Sequence, residues 1–125
     1  MKTLHTAVIT LVGILSLVAV AEAAVDLWTP PLNADSTHWV ECRLINVTAS
    51  VRRIQIRIYF ANGVLANDSL PVDLDPYSVR NLDYGPYPGY LTCRFTVPAK
   101  SYVRAVGTLF VPGDNHADTA EFSGQ

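Results

Sequence analysis

From residue 53 to residue 60 polar and apolar side chains alternate without a break. Ile54, Ile56, Ile58 and Phe60 fall on one side of an extended chain, and Arg53, Gln55, Arg57 and Tyr59 on the other. A strand sends successive side chains to opposite faces, whereas a helix repeats about every 3.6 residues, so this stretch can bury one face only as a β-strand. Three further stretches obey the same rule. Val40, Cys42 and Leu44 oppose Trp39, Glu41 and Arg43. Leu91, Cys93, Phe95 and Val97 oppose Arg94 and Thr96. Val103, Ala105, Gly107, Leu109 and Val111 oppose Tyr102, Arg104, Val106, Thr108 and Phe110. Beyond residue 24 nothing sustains a helical period, and the chain reads as all-β.

Turn chemistry divides these runs. Asn62-Gly63 accepts positive φ and predicts a tight reversal, with Val64 to Ala66 returning as a short strand. Leu70, Val72 and Leu74 alternate with Pro71, Asp73 and Asp75. A proline has no N–H for a ladder bond, which predicts an edge strand there. Asp75-Pro76 marks another turn and Ser78 to Leu82 a further short strand. The loop Tyr84-Gly85-Pro86-Tyr87-Pro88-Gly89-Tyr90 precedes the run that contains Cys93.

About seven short strands with turns between them predict an antiparallel β-sandwich. Cys42 and Cys93, the two cysteines of the chain, sit mid-strand on inward faces of an early and a late strand. This is the placement of the inter-sheet disulfide in immunoglobulin-like domains, and a bridge between them is expected. It would close a loop of about fifty residues, for which chain entropy gives roughly 4 kcal/mol. Two hallmarks of true immunoglobulin domains are absent: Ile56 stands where a core Trp is expected, and Leu91 rather than Tyr lies two residues before Cys93. The layout alone is immunoglobulin-like.

The N-terminus reads as an export signal. Lys2 supplies the positive charge, an apolar run extends from about Thr6 to Ala21, and Ala21-Glu22-Ala23 is a small-x-small cleavage pattern. Cleavage before Ala24 is expected, with a cut before Glu22 as the near alternative. The rival reading is an uncleaved membrane anchor, but the run falls a little short of the roughly 20 residues that span a bilayer. The cleavage pattern favours removal, and no membrane span is expected after it. Residues 1–23 are thus read as signal peptide, 24–112 as the β-sandwich domain and 113–125 as a loose polar tail. The product would be secreted or periplasmic, where disulfides form and persist.

The segments Cys42-Arg43-Leu44-Ile45-Asn46-Val47-Thr48, Cys93-Arg94-Phe95-Thr96-Val97 and Tyr102-Val103-Arg104-Ala105 give the chain a resemblance to small exported bacterial proteins of unknown function. Those carry a Cys-Arg-x-x-Asn-Val start, a later Cys-Arg-Phe and a Val-Arg-Ala strand. The resemblance implies export and fold, and brings no activity with it.

The formal net charge of -2 is too balanced for nucleic acid, which needs a basic face. Metal chemistry is poorly supplied, since His38 and His116 are the histidines beyond the signal and stand at opposite ends, so no cofactor is expected. Ser101 or Ser123 with His116 and Asp114 can be written as a triad, but any exported domain offers such a set, and no enzymatic activity is expected. Asn46-Val47-Thr48 and Asn67-Asp68-Ser69 match the N-glycosylation pattern, with Asn67 the better acceptor.

The arginines carry the one positive signal. Beyond the signal there are seven Arg against the single Lys100, and Arg makes planar forked contacts suited to recognition. If the strands around Ile56, Cys93 and Ala105 lie side by side, Arg57, Arg94 and Arg104 form one outward cluster with Tyr59, Tyr102 and Phe110. Such a face would recognise a partner protein or an anionic glycan; the plainer reading is a solvated, cross-paired surface. Tyr84, Tyr87 and Tyr90 form a second candidate, a rigid aromatic loop or simply a lid. The expected function is a non-catalytic, monomeric binding module, with a structural or assembly subunit of an envelope complex as the alternative.

Overall fold

A computed structural model describes residues 23–113, together with the backbone pairing of Phe122–Ser123. Residues 1–22 of the signal segment lie outside the described residues, and so does most of the tail from 113 onward.

Ten strands follow one another: β1 (Val25–Trp28), β2 (Leu32–Ala34), β3 (Trp39–Asn46), β4 (Arg52–Phe60), β5 (Leu65–Asp68), β6 (Val72–Leu74), β7 (Val79–Tyr84), β8 (Gly89–Val97), β9 (Val103–Phe110) and β10 (Phe122–Ser123). A 3-10 turn, Lys100–Tyr102, leads into β9. All pairings are antiparallel. The first sheet runs β1-β8-β4-β5, with β2 also on β8 and β6 on β4; the second runs β10-β9-β3-β7. The fold is an antiparallel β-sandwich.

The alternating runs become the facing layers of the core. Val40, Cys42 and Leu44 from β3 meet Ile54, Ile56 and Ile58 from β4 and Leu91, Cys93, Phe95 and Val97 from β8, with Val103 and Ala105 from β9. Cys42 and Cys93 are bonded across the sheets at a Cα–Cα distance of 5.8 Å. Gly107, opposite Cys42 on β9, leaves the room this crossing needs. A Cβ there would lie 2.8 Å from Leu32 Cδ1, 3.0 Å from Thr29 Cγ2 and 3.3 Å from Cys93 Sγ.

The Asn62-Gly63 reversal forms as expected. Gly63 adopts φ +84° and donates its N–H to the Phe60 carbonyl at 2.9 Å, while Phe60 N–H bonds Val64 O. The strand after it begins one residue later than expected, at Leu65. Leu70 was expected to alternate inward with Val72 and Leu74, but it lies outside β6, 64% exposed at φ +59°. Asp68 Oδ1 accepts the Leu70 N–H at 2.8 Å, and this side-chain turn ends the extended run before Pro71. Val72 and Leu74 pair with Ile54 and Arg52 at the sheet margin, where the proline predicted an edge.

One strand has a different neighbour from the one expected. Residues Val103–Phe110 do not lie beside β8; they pair along all of β3 in the second sheet. The connection from Val97 to Val103 includes Pro98 and the 3-10 turn, and Val47 N–H bonds the Tyr102 carbonyl at 2.9 Å. Such a connection spans the roughly 10 Å between sheets, where a two-residue hairpin would have held β9 against β8. The vacated edge of β8 is taken by β1 and β2, neither of them anticipated.

Candidate functional site

The β1–β8–β4 register assembles the outer face of the first sheet. Trp28 stands opposite Arg94, and Asp26 opposite Thr96; Arg57 stands opposite Arg94 from the other side, and Tyr59 opposite Thr92. The period-two rule turns all seven away from the core, whose side of the same strands is held by Leu27, Ile56, Ile58, Cys93 and Phe95. After Trp28 the chain leaves the ladder. Thr29 turns inward, giving its N–H to the Cys93 carbonyl and accepting the Cys93 N–H on Oγ1, both at 3.0 Å. Pro30 and Pro31 then carry it to β2. This kink leaves Trp28 standing proud, 46% exposed, at the rim of a groove.

The groove encloses about 570 Å³ and is lined by Trp28, Pro31, Tyr59, Tyr90, Thr92 and Arg94, with Phe60, Ala61 and Gly63 of the β4 turn closing one end. The Trp28 and Tyr59 rings meet at 5.6 Å and a tilt of 34°. The Arg94 guanidinium lies 5.2 Å from the Trp28 ring centre, donates to Tyr59 Oη at 3.1 Å and to Asp26 Oδ2 at 2.7 Å. Thr96 Oγ1 donates to the other Asp26 oxygen at 2.7 Å. The Arg94 hydrogen bond, helped by Thr96, holds the Asp26 carboxyl below its usual range against the opposing effect of burial; the same bond raises Arg94. The fixed guanidinium keeps one buried polar atom, Nε, without a partner.

Two of the three arginines expected to cluster do so. Arg57 and Arg94 are cross-strand neighbours, and Tyr59 joins them. Arg57 donates to Gln55 at 2.6 Å and lies 3.9 Å from Asp68, while Gln55 Nε2 donates to Asp68 at 2.9 Å. Arg104 is a correction. It is exposed on the outer face of the second sheet, opposite Ile45, because β9 pairs with β3. Phe110 goes with it and packs on Trp39 at 6.4 Å. Tyr102 is a second correction. It lies in the 3-10 turn between the sheets, packed on the core, with the Arg52 guanidinium 3.7 Å over its ring.

The tyrosine loop divides. Tyr84 and Tyr87 pack on Phe60 at 5.4 and 4.9 Å and close one end of the sandwich, so both serve the core. Gly85, at φ +148°, lets the loop pass so close to Trp39 that a Cβ added there would lie 2.9 Å from the Trp39 Cα. Tyr90, 50% exposed, turns to the other side and lines the groove. Trp28, Pro31 and Asp26 were missed in the sequence. Trp28-Thr29-Pro30-Pro31 was the available signal, an aromatic beside two prolines, but without alternation it gave no face.

His38 is occupied in a turn. Asp35 Oδ1 lies 2.6 Å from His38 Nδ1 and accepts from the Thr37 and His38 amides at 2.8 and 3.0 Å. The His38 bond first, and those from Thr37 next, hold the Asp35 carboxyl well below the usual carboxylate range. Of the possible triad, Ser101 is exposed in the 3-10 turn before β9, while His116, Asp114 and the Ser123 side chain lie outside the described residues. Among the described residues no group of three His, Cys, Asp or Glu gathers in metal-binding geometry, and no helix is long and apolar enough to cross a membrane. Asn46 is fully buried. Its amide donates to the carbonyls of Ser50, Leu74 and Asp75 at 2.8 to 3.1 Å, which closes it to glycosylation. The Asn67 amide donates to Asp83 O at 2.9 Å.

No family model matches the chain, and no significant match exists among curated proteins. Among solved structures the chain is similar to Thermotoga maritima 1070, with a TM-score of 0.58 at 13% identity over 82% of this chain and 94% of that one. It is similar also to the Anabaena sensory rhodopsin transducer, with a TM-score of 0.47 at 6% identity over 72% of this chain and all of that one. At such identities the first of these likenesses shows the sandwich fold and nothing of function.

Proposed function

We propose that this chain is a non-catalytic exported module that binds a partner or ligand in the cell envelope or outside the cell, through the groove on the outer face of the first sheet. The groove carries the reading. A volume of about 570 Å³ is within the range of ligand sites, and such sites are mostly apolar with a few placed polar groups. Trp28 and Tyr90 stand half-exposed around it, leaving aromatic area that a bound partner would bury with gain. Export is supported by the apolar N-terminal run with its Ala21-Glu22-Ala23 pattern, and by a disulfide of the kind that persists in oxidising compartments.

The test follows the indole N–H resonances of Trp28 and Trp39, which lie on opposite sheets, while isotope-labelled protein is titrated with fractions of envelope and culture fluid. A fraction that shifts Trp28 and leaves Trp39 in place supports the reading. If Trp28 stays fixed in every fraction, the groove is not a binding site.

A further inference from the structure

Resting on that reading, the donor and acceptor inventory of the groove narrows its ligand. The Asp26 carboxylate, bonded to the Arg94 that lines the groove, has one oxygen taken by Arg94 and the other by Thr96, and no carboxylate lines the groove itself. Tyr59 Oη accepts from Arg94, so its own O–H remains free to donate. The Trp28 indole N–H, the Tyr90 O–H and the remaining guanidinium N–H groups are donors as well. The lining therefore offers aromatic faces and hydrogen-bond donors, with the Thr92 hydroxyl as its sole side-chain acceptor outside the phenols. Its one cation is already paired: Arg94 with Asp26 at 2.7 Å. Next to it, Arg57 faces Asp68 at 3.9 Å.

A ligand complementary to this surface is apolar, uncharged, rich in acceptors and poor in donors. Sulfated or phosphorylated groups would find the cations neutralised. Neutral sugars present a hydroxyl donor with almost every acceptor, and each donor turned onto the lining would be desolvated without a side-chain carboxylate to take it, at a cost of the order of 1–3 kcal/mol. A proline-rich segment fits on every count. It has no N–H at proline, its carbonyls project outward from a left-handed extended helix, and its pyrrolidine rings lie flat on aromatic side chains. We propose that the groove of Trp28, Pro31, Tyr59 and Tyr90 docks a proline-rich peptide segment of a partner protein in polyproline II conformation. Trp28 and Tyr90 supply the ring contacts, and the Tyr59 hydroxyl, oriented by Arg94, donates to a peptide carbonyl.

The probe is an uncharged ten-residue oligoproline, acetylated and amidated, titrated into the labelled full domain. A neutral cello-oligosaccharide and a sulfated heparin fragment run in parallel. The expected result is a saturable shift of the Trp28 indole and Thr92 amide with oligoproline alone. Trp28→Ala should weaken binding by about thirtyfold, the effect of an interface anchor. Tyr59→Phe should weaken it several-fold while the spectrum stays folded, because it removes the hydroxyl and keeps the ring. An unmoved spectrum with oligoproline overturns the proposal. A Trp28 response to either glycan in its place overturns the peptide assignment and leaves the groove as a binding site. Binding unchanged by Trp28→Ala overturns both.

Discussion

Replacing Asn46 by Asp changes one atom type in a buried clamp, and the structure sets both the sign and the pH dependence of the result. Asn46 ends β3 with no exposed surface. Its two amide hydrogens are shared among the carbonyls of Ser50 at 2.8 Å and of Leu74 and Asp75 at 3.1 Å. Its Oδ1 accepts the Thr48 N–H at 3.0 Å and the Thr48 hydroxyl at 2.7 Å. One side chain thus ties the β3–β4 loop to the β6–β7 turn. An ionised carboxyl in this place would set an anionic oxygen against carbonyl oxygens, with the Arg52 guanidinium held off it by its own bond to Thr48 Oγ1 at 3.0 Å. The folded protein answers by keeping the introduced carboxyl protonated, so its folded pKa rises above the ordinary value of about 3.9.

A rise of about 3 units, at about 1.36 kcal/mol each, costs roughly 4 kcal/mol at pH 7. The lost donor adds about 1 kcal/mol. A native state that holds a proton the unfolded chain has released loses stability as pH rises. Asn46→Asp should therefore be about 5 kcal/mol less stable than the parent at pH 7 and only about 1–2 kcal/mol less stable at pH 3. Asn46→Ala removes the clamp without adding charge, and should cost about 3 kcal/mol at both pH values. The two variants exchange rank between pH 3 and pH 7. Urea midpoints by tryptophan fluorescence, each set against the parent at the same pH, read the difference. If Asn46→Asp is the more stable of the two at pH 7, or if their difference is flat with pH, the amide is not holding those carbonyls.

Four further outcomes follow from particular contacts. Gly107→Ala should lower stability by about 1–3 kcal/mol in denaturant titration, because the new Cβ lies 2.8 Å from Leu32 Cδ1 beside the disulfide. Cys42→Ala should cost about 2–5 kcal/mol, and intact mass should rise by two hydrogens on reduction of the parent protein. Asp26→Asn frees the Arg94 charge, so affinity for a sulfated glycan, absent in the parent, should appear and fall with salt. The Asp35 carboxyl, depressed by His38 and Thr37, contributes stability above its ordinary pKa that is lost as pH falls through its lower folded value. Asp35→Asn should make the acid limb of the stability curve shallower.

Alternation made the core legible. Every buried residue of β4 and β8, from Ile54 to Val97, was visible as a period of two, and the inward cysteines were visible with them. What alternation cannot encode is the neighbour. Arg104 points outward as its pattern demands, yet which sheet it decorates depends on whether β9 pairs with β8 or β3. Backbone hydrogen bonds between residues distant in sequence settle that. The strands β1 and β2 were illegible for the same reason. Four and three residues long and separated by two prolines, they are strands only because β8 offers a ladder to Val25 from Val97 and to Leu32 from Leu91. Arg57, Arg94 and Tyr59 could be read as one face from the sequence; Trp28 and Asp26 could not.

The choice of neighbour also decides the chemistry of the face. Had β9 lain beside β8, the outer surface would have carried Arg57, Arg94 and Arg104 close together, a cationic patch suited to sulfate or phosphate. With β1 in that position, Arg94 meets an aspartate and an indole instead. Asp26 cancels the Arg94 charge, Asp68 faces Arg57, and Trp28 lies under the guanidinium at 5.2 Å. Pairing also fixes that guanidinium, which in turn orients the Tyr59 hydroxyl. The same strand exchange places Thr29 against Cys93 at the disulfide, so the kink that projects Trp28 is anchored to the most constrained point of the fold. A rigid, uncharged, aromatic groove is thus a consequence of topology, and Asp26→Asn is the smallest change that would give it back the cationic character the arginines alone suggest.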